Sequence, residues 1–582
     1  MSRYYGKGWI ASSASKPRLR IILASTASFS AMTFAVSAGA DQTAIDLDQM
    51  RVDAQNLARQ SGCVAALPDL ETAAGYSRRA LDWIAVGECA VAAGNSEAAA
   101  EAFWQAVIYR QQLDEGQRAY AFRSLGYQAE TANQFSRAAI GWNETASLTG
   151  EAGDLLMAAR AARLDGRPQA SAARLQHLEA EALSGSSLAL YYEERALSLA
   201  DLQPAAAAMY LAQAINIEDR AYRRYQRGLY LERAGDQRAA LAEFQAALQA
   251  EPQNTDILLS TAYAARRAGD DALATRLFER VIQLNPDRPE LREELGYAQI
   301  AADQEEAAAE TFRIAITNVT PHENETADEH EERLYRLRRQ VEQLEGRTYG
   351  VVFASYRDGS APTAISLPET GPNETQLGGE FGWRPDALNT ANTGLTLFGR
   401  GYASADAGTI QLNEESLQFG AGARWKPFAS HDFYLSGERL IAGGDLARDA
   451  WLLRASYGWS DGLDWNPVRS NWNYTTVFAD LAYIPDNPEF LSAYASVRQG
   501  RRFQTGERWT VTPYVTAVGQ WSDDTFQTRE RLEVGPGVVF THWFDEDATT
   551  APRQRVDFEM EYRFGVGDTD DEAFIARAVW HF

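Results

Sequence analysis

Hydrophobic positions along this 582-residue chain change period once. From about Asp41 to Gly346 apolar residues recur at helical spacing, and after Arg347 they alternate with a period of two. The clearest alternation runs from Arg555 to Phe564. Val556, Phe558, Met560, Tyr562 and Phe564 share one face of a strand, while Asp557, Glu559, Glu561 and Arg563 share the other. The final stretch repeats the pattern. Phe574, Ala576, Ala578, Trp580 and Phe582 form an apolar stripe, with Arg577 and His581 opposite. A soluble domain rarely leaves such an edge open, because it invites aggregation. Comparable runs begin near Tyr349, Leu377, Leu395, Leu417, Phe433, Trp451, Trp472, Leu491, Trp509, Leu532, Val556 and Phe574, with Gly, Asn, Asp and Pro between them. They predict an antiparallel transmembrane β-barrel of roughly 12 strands, within 12–16. One feature pulls against the count. If the chain ends in the periplasm, alternate turns should be short, yet Ser460 to Asn471 and Asp545 to Gln554 fall on that side.

The helical half carries a repeat. Ala240, Phe244, Ala247 and Pro252 recur 34 residues on as Ala274, Phe278, Val281 and Pro286. They recur again as Ala308, Phe312 and Ala315, with Pro321 one place late. Gly228 and Gly296 mark the crossing of a first helix on a second, and Gly235 and Gly269 fall in turns. The pattern resembles the tetratricopeptide repeat and predicts an α-solenoid. Two earlier units match less tightly: Trp83, Gly87, Ala99, Phe103 and Ala106, then Phe122, Leu125, Gly126, Ala138, Trp142 and Ala146. Between about Gly150 and Ile217 the signature fades, with Ala207, Leu211 and Ala214 as a degenerate unit. Ala327 to Gly346 places Leu334, Leu337, Val341 and Leu344 on one stripe, which reads as a capping helix. A linker helix or a coiled-coil seam is the other reading.

Composition sets the compartment. Arg3, Lys7, Lys16, Arg18 and Arg20 precede an apolar-to-small run from Ile21 to Val36, and Ala38-Gly39-Ala40 supplies a cleavage site before Asp41. This is an export-signal pattern, set against a disordered basic leader. No internal run is long enough for a transmembrane helix. A net charge of -25 without a basic stripe argues against nucleic acid. Most tryptophans lie after Arg347, as interfacial girdles require. Cys63 and Cys89 are the only cysteines; an oxidising periplasm permits a disulfide between them, the alternative being two buried thiols.

No catalytic constellation is visible. The histidines (His177, His322, His330, His431, His542 and His581) do not pair at metal spacing. There is no nucleophile elbow, P-loop or dinucleotide fingerprint. Asp568-Thr-Asp-Asp-Glu572 lacks the calcium-loop spacing and reads as a solvated hairpin. The expectation is therefore no enzyme, no cofactor and no metal. Taking the apolar face as lipid-facing leaves Glu380, Arg400, Arg424, Glu438, Arg454, Asp480, Arg498, Glu533, Asp557, Glu559, Glu561, Arg563 and Arg577 in the lumen. They read either as a polar conduit or as a lumen filled by mutual salt bridges. In the repeat register Tyr120, Arg123, Tyr127, Tyr225, Tyr263, Arg266 and Tyr297 fall on the concave face. There they would contact a ligand or pack on the neighbouring repeat.

An exported repeat solenoid followed by a barrel resembles the outer-membrane export proteins of bacterial exopolysaccharides, as in cellulose and poly-N-acetylglucosamine secretion. Trp465 to Tyr483 (WNPVRSNWNYTTVFADLAY) and the opening Tyr349-Gly-Val-Val-Phe353 look most like the C-terminal domain family of bacteriophage adsorption protein A, the NfrA type. The resemblance implies polysaccharide export with a surface that a phage exploits. It implies outer-membrane lipid, polysaccharide or periplasmic and inner-membrane synthesis proteins, and phage, as partners. The departure is strand number, since a barrel of a dozen strands has a narrower lumen than the sixteen or so of that class. The alternative is a barrel-anchored periplasmic interaction scaffold without an open channel. The expected organisation is 1–40 signal peptide, 41–326 periplasmic solenoid, 327–346 capping or linker helix, and 347–582 outer-membrane barrel.

Overall fold

The computed structural model describes residues 47–322, 324–358, 375–385, 388, 394–405, 411–428, 430–486, 489–524, 528–567 and 572–582. The export signal and Asp568 to Asp571 lie outside the described residues. The first helices are α1 (Leu47–Ser61), α2 (Cys63–Ser77), α3 (Ala80–Ala92), α4 (Ser96–Ile108), α5 (Glu115–Thr131) and α6 (Phe135–Thr149). They continue with α7 (Ala152–Leu164), α8 (Pro168–Gln176), α9 (Gly185–Leu199), α10 (Pro204–Ile217), α11 (Ala221–Arg233), α12 (Gln237–Ala250) and α13 (Thr255–Ala268). The last are α14 (Asp271–Leu284), α15 (Glu290–Ala301), α16 (Glu305–Thr317) and α17 (Ala327–Glu345). Helices α1–α13 form one compact unit; α14–α17 belong with the strands to a second. Among the described residues no helix is long and apolar enough to cross a membrane.

Small-on-large packing builds the repeats. A Cβ at Gly126 would meet the Trp142 ring at 2.8 Å, and one at Gly228 would meet the Phe244 ring at 2.6 Å. The same crossing recurs between Gly87 and Phe103, and between Gly296 and Phe312. Only glycine lets the first helix approach the aromatic of the second this closely. Gly235 and Gly269 stand at positive φ, 87° and 79°, where the chain turns between helices. The faded segment keeps the logic without the signature: Ala207, Leu211 and Ala214 are buried on α10. Cys63 and Cys89 are disulfide-bonded, fastening α2 to α3. Thr326 and Glu329 close a capping box at the start of α17. Leu337 and Val341 then bury against Ala308, Phe312 and Ile316 of α16, with Leu334 and Leu344 beside them.

The strands are β1 (Thr348–Arg357), β2 (Gln376–Trp383), β3 (Gly394–Ser404), β4 (Gln418–Lys426), β5 (Asp432–Ala442) and β6 (Ala450–Asp461). The rest are β7 (Asn471–Ile484), β8 (Phe490–Gly506), β9 (Trp509–Asp524), β10 (Thr528–Phe544), β11 (Gln554–Gly565) and β12 (Glu572–His581). They form a closed antiparallel barrel of twelve strands, sealed by β1 on β12 with Val351 opposite His581 and Arg357 opposite Ile575. Gly350 and Phe582 exchange both backbone hydrogen bonds, at 2.7 and 2.9 Å. Closure leaves no unpaired edge, the condition for a sheet in hydrocarbon. Strand starts fall within a few residues of the alternation in sequence. The largest difference is β10, which begins at Thr528 rather than Leu532 because its charged start, Arg529-Glu530-Arg531, carries the ladder beyond the apolar stripe.

The two over-long turns have a structural cause. Loops 462–470 and 545–553 lie at the barrel end that carries α17, and they cradle that helix. Arg339 of α17 pairs with Asp464 at 3.0 Å, Arg338 Nε donates to the Ala548 carbonyl at 3.0 Å, and Arg553 lies 3.6 Å from Glu345. Helix α17 thus buries one face on α16 and offers the other to the barrel loops.

Candidate functional site

Strand alternation sends every second side chain inward, and the inward set combines charged side chains with apolar ones such as Phe353, Leu440, Leu452 and Ile484. On the β2–β5 arc Glu380 accepts from Tyr349 at 2.6 Å and from Arg424 at 3.1 Å. Arg400 pairs with Glu438 at 2.6 Å across β4. A Cβ at Gly420 would collide with that carboxylate, so glycine makes the room. Arg454 pairs with Asp480 at 2.6 Å on neighbouring strands.

The opposite arc holds a denser knot. Arg498 reaches from β8 past two strands to Glu559 and Glu561 on β11, 2.9 Å from each. Arg577 lies 3.2 Å from the same two carboxylates. Tyr514 donates to both, at 2.6 Å to Glu561, and its ring fits because Gly537 has no Cβ. Arg563 bonds Glu561 at 2.7 Å and Glu533 at 3.3 Å, and Arg357 closes on Glu533 at 2.6 Å. Asp557 stands apart, accepting from Thr541 at 2.6 Å with Arg555 at 3.2 Å. Glu561 is fully buried, and Arg357, Arg563 and Arg577 are nearly so. Charges this deep persist only when paired.

The interior includes groups the sequence reading did not single out: Arg357, Arg502, Arg531 and Arg555. Strand parity carried the signal, since Arg531 shares the face of Glu533, Arg555 that of Asp557, and Arg502 that of Arg498. Arg502 is 2% exposed. Its direct contacts are Thr512 Oγ1 at 2.9 Å, the Leu463 carbonyl, and the rings of Tyr474 and Trp543 at 5.0 and 5.2 Å, with the Asp557 and Asp464 carboxylates acting on it from further off.

Loop 462–470 enters the lumen at the α17 end. Leu463 packs on the inward residues Tyr474, Tyr514 and Val539. Trp465 is 5% exposed, with its ring 5.5 Å from Trp543 and 6.4 Å from Trp472. The Trp472 indole donates to the Gly462 carbonyl at 3.0 Å, and the Arg508 guanidinium lies over Trp465 at 5.1 Å. Outside the barrel wall, burial raises the pKa of Tyr335 and of Glu342 on α17. Near the start of α17, the Arg333 hydrogen bonds hold the Glu325 carboxyl down at about 2.

The repeat-face residues mostly have neighbours within the solenoid. The Tyr120 hydroxyl donates to Glu88 at 2.9 Å, and Arg123 binds Asp154 at 3.1 Å and Glu151 at 3.0 Å. Tyr127 stands edge-on to Trp142 at 4.6 Å, and the Tyr225 and Ser260 hydroxyls are 3.2 Å apart. Arg266 lies over Tyr263 at 5.7 Å, and Tyr297 packs on Phe312 at 5.1 Å. A ladder of pairs about one repeat apart continues this theme. It includes Arg160 with Glu130 at 2.8 Å, the two-pronged Arg163 on buried Glu194 at 2.6 and 2.8 Å, and Arg223 with Glu193 at 2.8 Å. Tyr120 and Tyr127 nonetheless leave 45% and 53% of their surface exposed. Among the described residues no acidic, histidine or cysteine group could hold a metal ion.

Comparison with known proteins follows this division. Bacteriophage adsorption protein A of Escherichia coli K12 is 25% identical over 469 residues, covering 76% of this chain and 46% of its own length. The chain therefore spans under half of that relative. The helical part is similar to solved tetratricopeptide proteins. One is YrrB, described as having an unusual peptide-binding site (19% identity, TM-score 0.27, 32% of this chain and 95% of that one). Another is a repeat protein of Parabacteroides merdae (16%, 0.30, 44% and 98%). A third is MamA of Desulfovibrio magneticus (15%, 0.25, 29% and 94%). These chains share a repeat fold at most; the repeat assignment here rests on the glycine–aromatic crossings. The barrel is more specific: residues 410–578, from ahead of β4 into β12, match the family described as Bacteriophage N adsorption protein A C-term.

Proposed function

We propose that this protein is a non-enzymatic outer-membrane anchor that carries a periplasmic repeat scaffold and presents its opposite loops as a cell-surface receptor. The observation that carries the reading is the division of the barrel wall. Large apolar side chains such as Phe381, Trp451, Leu481, Phe558 and Trp580 are exposed outward, while buried ion pairs fill the inside. That arrangement suits hydrocarbon outside and is costly in water. The name of the Escherichia coli relative supports surface exposure of the loops away from α17, because a phage must reach its receptor from outside. The repeat face then serves protein partners, with Tyr120 and Tyr127 as accessible rings.

Exopolysaccharide export is the second reading, favoured by the order of solenoid and barrel. It asks for a lumen wide enough for a polymer, against which the Arg498–Glu559–Glu561–Arg577 knot counts. Gel migration of the detergent-extracted membrane fraction tests the anchor. A band that runs faster unboiled than boiled is expected, and release by carbonate without detergent would overturn it. Loss of surface polysaccharide on deletion of the chain, restored by the full-length protein, would decide for export.

A further inference from the structure

We infer that the outer wall of the barrel carries a site for a phosphate-bearing lipid. Arg439 and Trp451 hold the headgroup, and an acyl chain lies in a hollow beside them. This rests on the membrane reading above and deepens it. Strand parity turns Arg439 outward, because its neighbours Glu438 and Leu440 are buried inside. Among the described strand residues two basic side chains face outward, Arg439 and Arg501. Arg501 lies near the α17 end and donates to Asn471 Oδ1 at 2.8 Å. Arg439 lies near the opposite end of the wall on β5, and its described contact is the Trp451 ring at 6.0 Å. The Asp449 and Asp486 carboxylates at that rim accept instead from the Ala442 and Trp451 amides, at 3.1 and 2.7 Å. The apolar wall continues beyond the arginine, since Phe419 pairs with Ile441 one step nearer the strand end and both are exposed. A cation inside a lipid-facing girdle is costly unless an anion answers it.

The wall beside Arg439 is hollowed. On β4 the arginine faces Ala421, which faces Gly399 on β3, while Gly437 faces Ala423. Phe381 and Leu453 stand at the two sides, opposite Gly399 and Gly437. Packing does not require these two glycines. A Cβ at Gly399 would meet nothing nearer than 3.8 Å, and one at Gly437 nothing nearer than 3.7 Å; neither has a positive φ. At Gly420, on the inner face of the same wall, a Cβ would collide. The outward glycines therefore leave apolar space without a polar side chain, which suits a hydrocarbon chain. Trp451, 53% exposed, completes the site as an interfacial ring beside the guanidinium. Contact with the ring leaves the N–H groups to meet phosphate oxygens, whose geometry a guanidinium matches. Charge thus selects an anionic headgroup, and the hollow selects a lipid over a free anion.

Native mass spectrometry of the full-length protein in detergent, with phosphatidylglycerol or phosphatidylcholine added, tests this. Wild type is expected to retain phosphatidylglycerol in preference to phosphatidylcholine, and inorganic phosphate is expected not to displace it. Arg439→Gln weakens phosphatidylglycerol retention about tenfold and removes the preference. Gly399→Leu fills the hollow, where a side chain has room, and weakens retention of both lipids about fivefold. Arg501→Gln, at the other end of the wall, leaves retention unchanged. Heat-modifiable migration checks that each variant is folded. Folded Arg439→Gln that retains phosphatidylglycerol like wild type overturns the headgroup site, because the arginine then only reaches for water. Unchanged retention by folded Gly399→Leu overturns the hollow, and displacement by inorganic phosphate overturns the lipid. Loss of heat modifiability in wild type would overturn the membrane reading itself, a separate result.

Discussion

Replacing Glu561 by leucine tests whether the lumenal knot holds the barrel together. Glu561 is fully buried and accepts from Arg498 at 2.9 Å, Arg577 at 3.2 Å, Arg563 at 2.7 Å and Tyr514 at 2.6 Å. Without it those three guanidiniums share only Glu559 and Glu533. Stripping one partner from a buried ion pair costs about 3–5 kcal/mol, because a charge is left uncompensated. A leucine methyl in a polar lumen returns little of that. The folding equilibrium should therefore fall by at least about a hundredfold. Lys426 and Asp432 supply the contrast. Their 2.7 Å pair is 20% and 23% exposed, so Asp432→Asn should cost under about 1 kcal/mol. The assay is urea unfolding of the full chain in detergent, followed by the fast-migrating gel band and tryptophan emission. A second substitution, Arg498→Met, should recover part of the loss by removing one orphaned charge. The reasoning is refuted if Glu561→Leu costs no more than Asp432→Asn.

Other outcomes follow from the helical parts. Gly228→Ala would press a methyl into the Phe244 ring and should destabilise the solenoid by about 1–3 kcal/mol, read as a lower midpoint of helical melting; an unchanged midpoint contradicts the crossing. The Cys63–Cys89 bond closes a separation of 26 residues. Its reduction should cost about 3.5 kcal/mol on the chain-entropy model, seen as an earlier helical transition in reductant and absent from Cys63→Ser. The depressed Glu325 carboxyl stabilises the start of α17 fully above its ordinary value of 4.5. That contribution is lost as pH falls towards about 2, so amide protection in α17 should decline there. Glu325→Gln should abolish the pH dependence, and a decline on the alkaline side instead would contradict the assignment.

Periodicity made most of the fold legible. The 34-residue step found the glycine–aromatic crossings because each is a local pair repeated at fixed spacing. Period-two alternation found twelve strands because each strand of a closed barrel turns one face inward and the other outward. Two features lay beyond it. Nothing local marks loops 462–470 and 545–553 as a cradle, since their partners on α17, Arg339 for the first and Arg338 and Glu345 for the second, are far away in sequence. Spacing left the concave-face tyrosines open between ligand contact and packing on the next repeat; in the structure Tyr120 and Tyr225 meet Glu88 and Ser260 of neighbouring repeats. Face can be read from spacing, whereas partners across the stack cannot. The lumen fell between these cases. Parity placed the charges, but only the folded chain brings Arg498 to β11.

Two engineered cysteines test the central claim most directly, because native Cys63 and Cys89 are tied up in a disulfide. Leu446 is 65% exposed in the loop between β5 and β6, away from α17, and Met209 is 69% exposed on α10. With a membrane-impermeant maleimide on intact cells, Leu446→Cys should be labelled and Met209→Cys should not. Met209→Cys should react only once the outer membrane is permeabilised. Labelling of both in intact cells, or of neither before permeabilisation, would contradict a barrel that spans the outer membrane with its repeats inside.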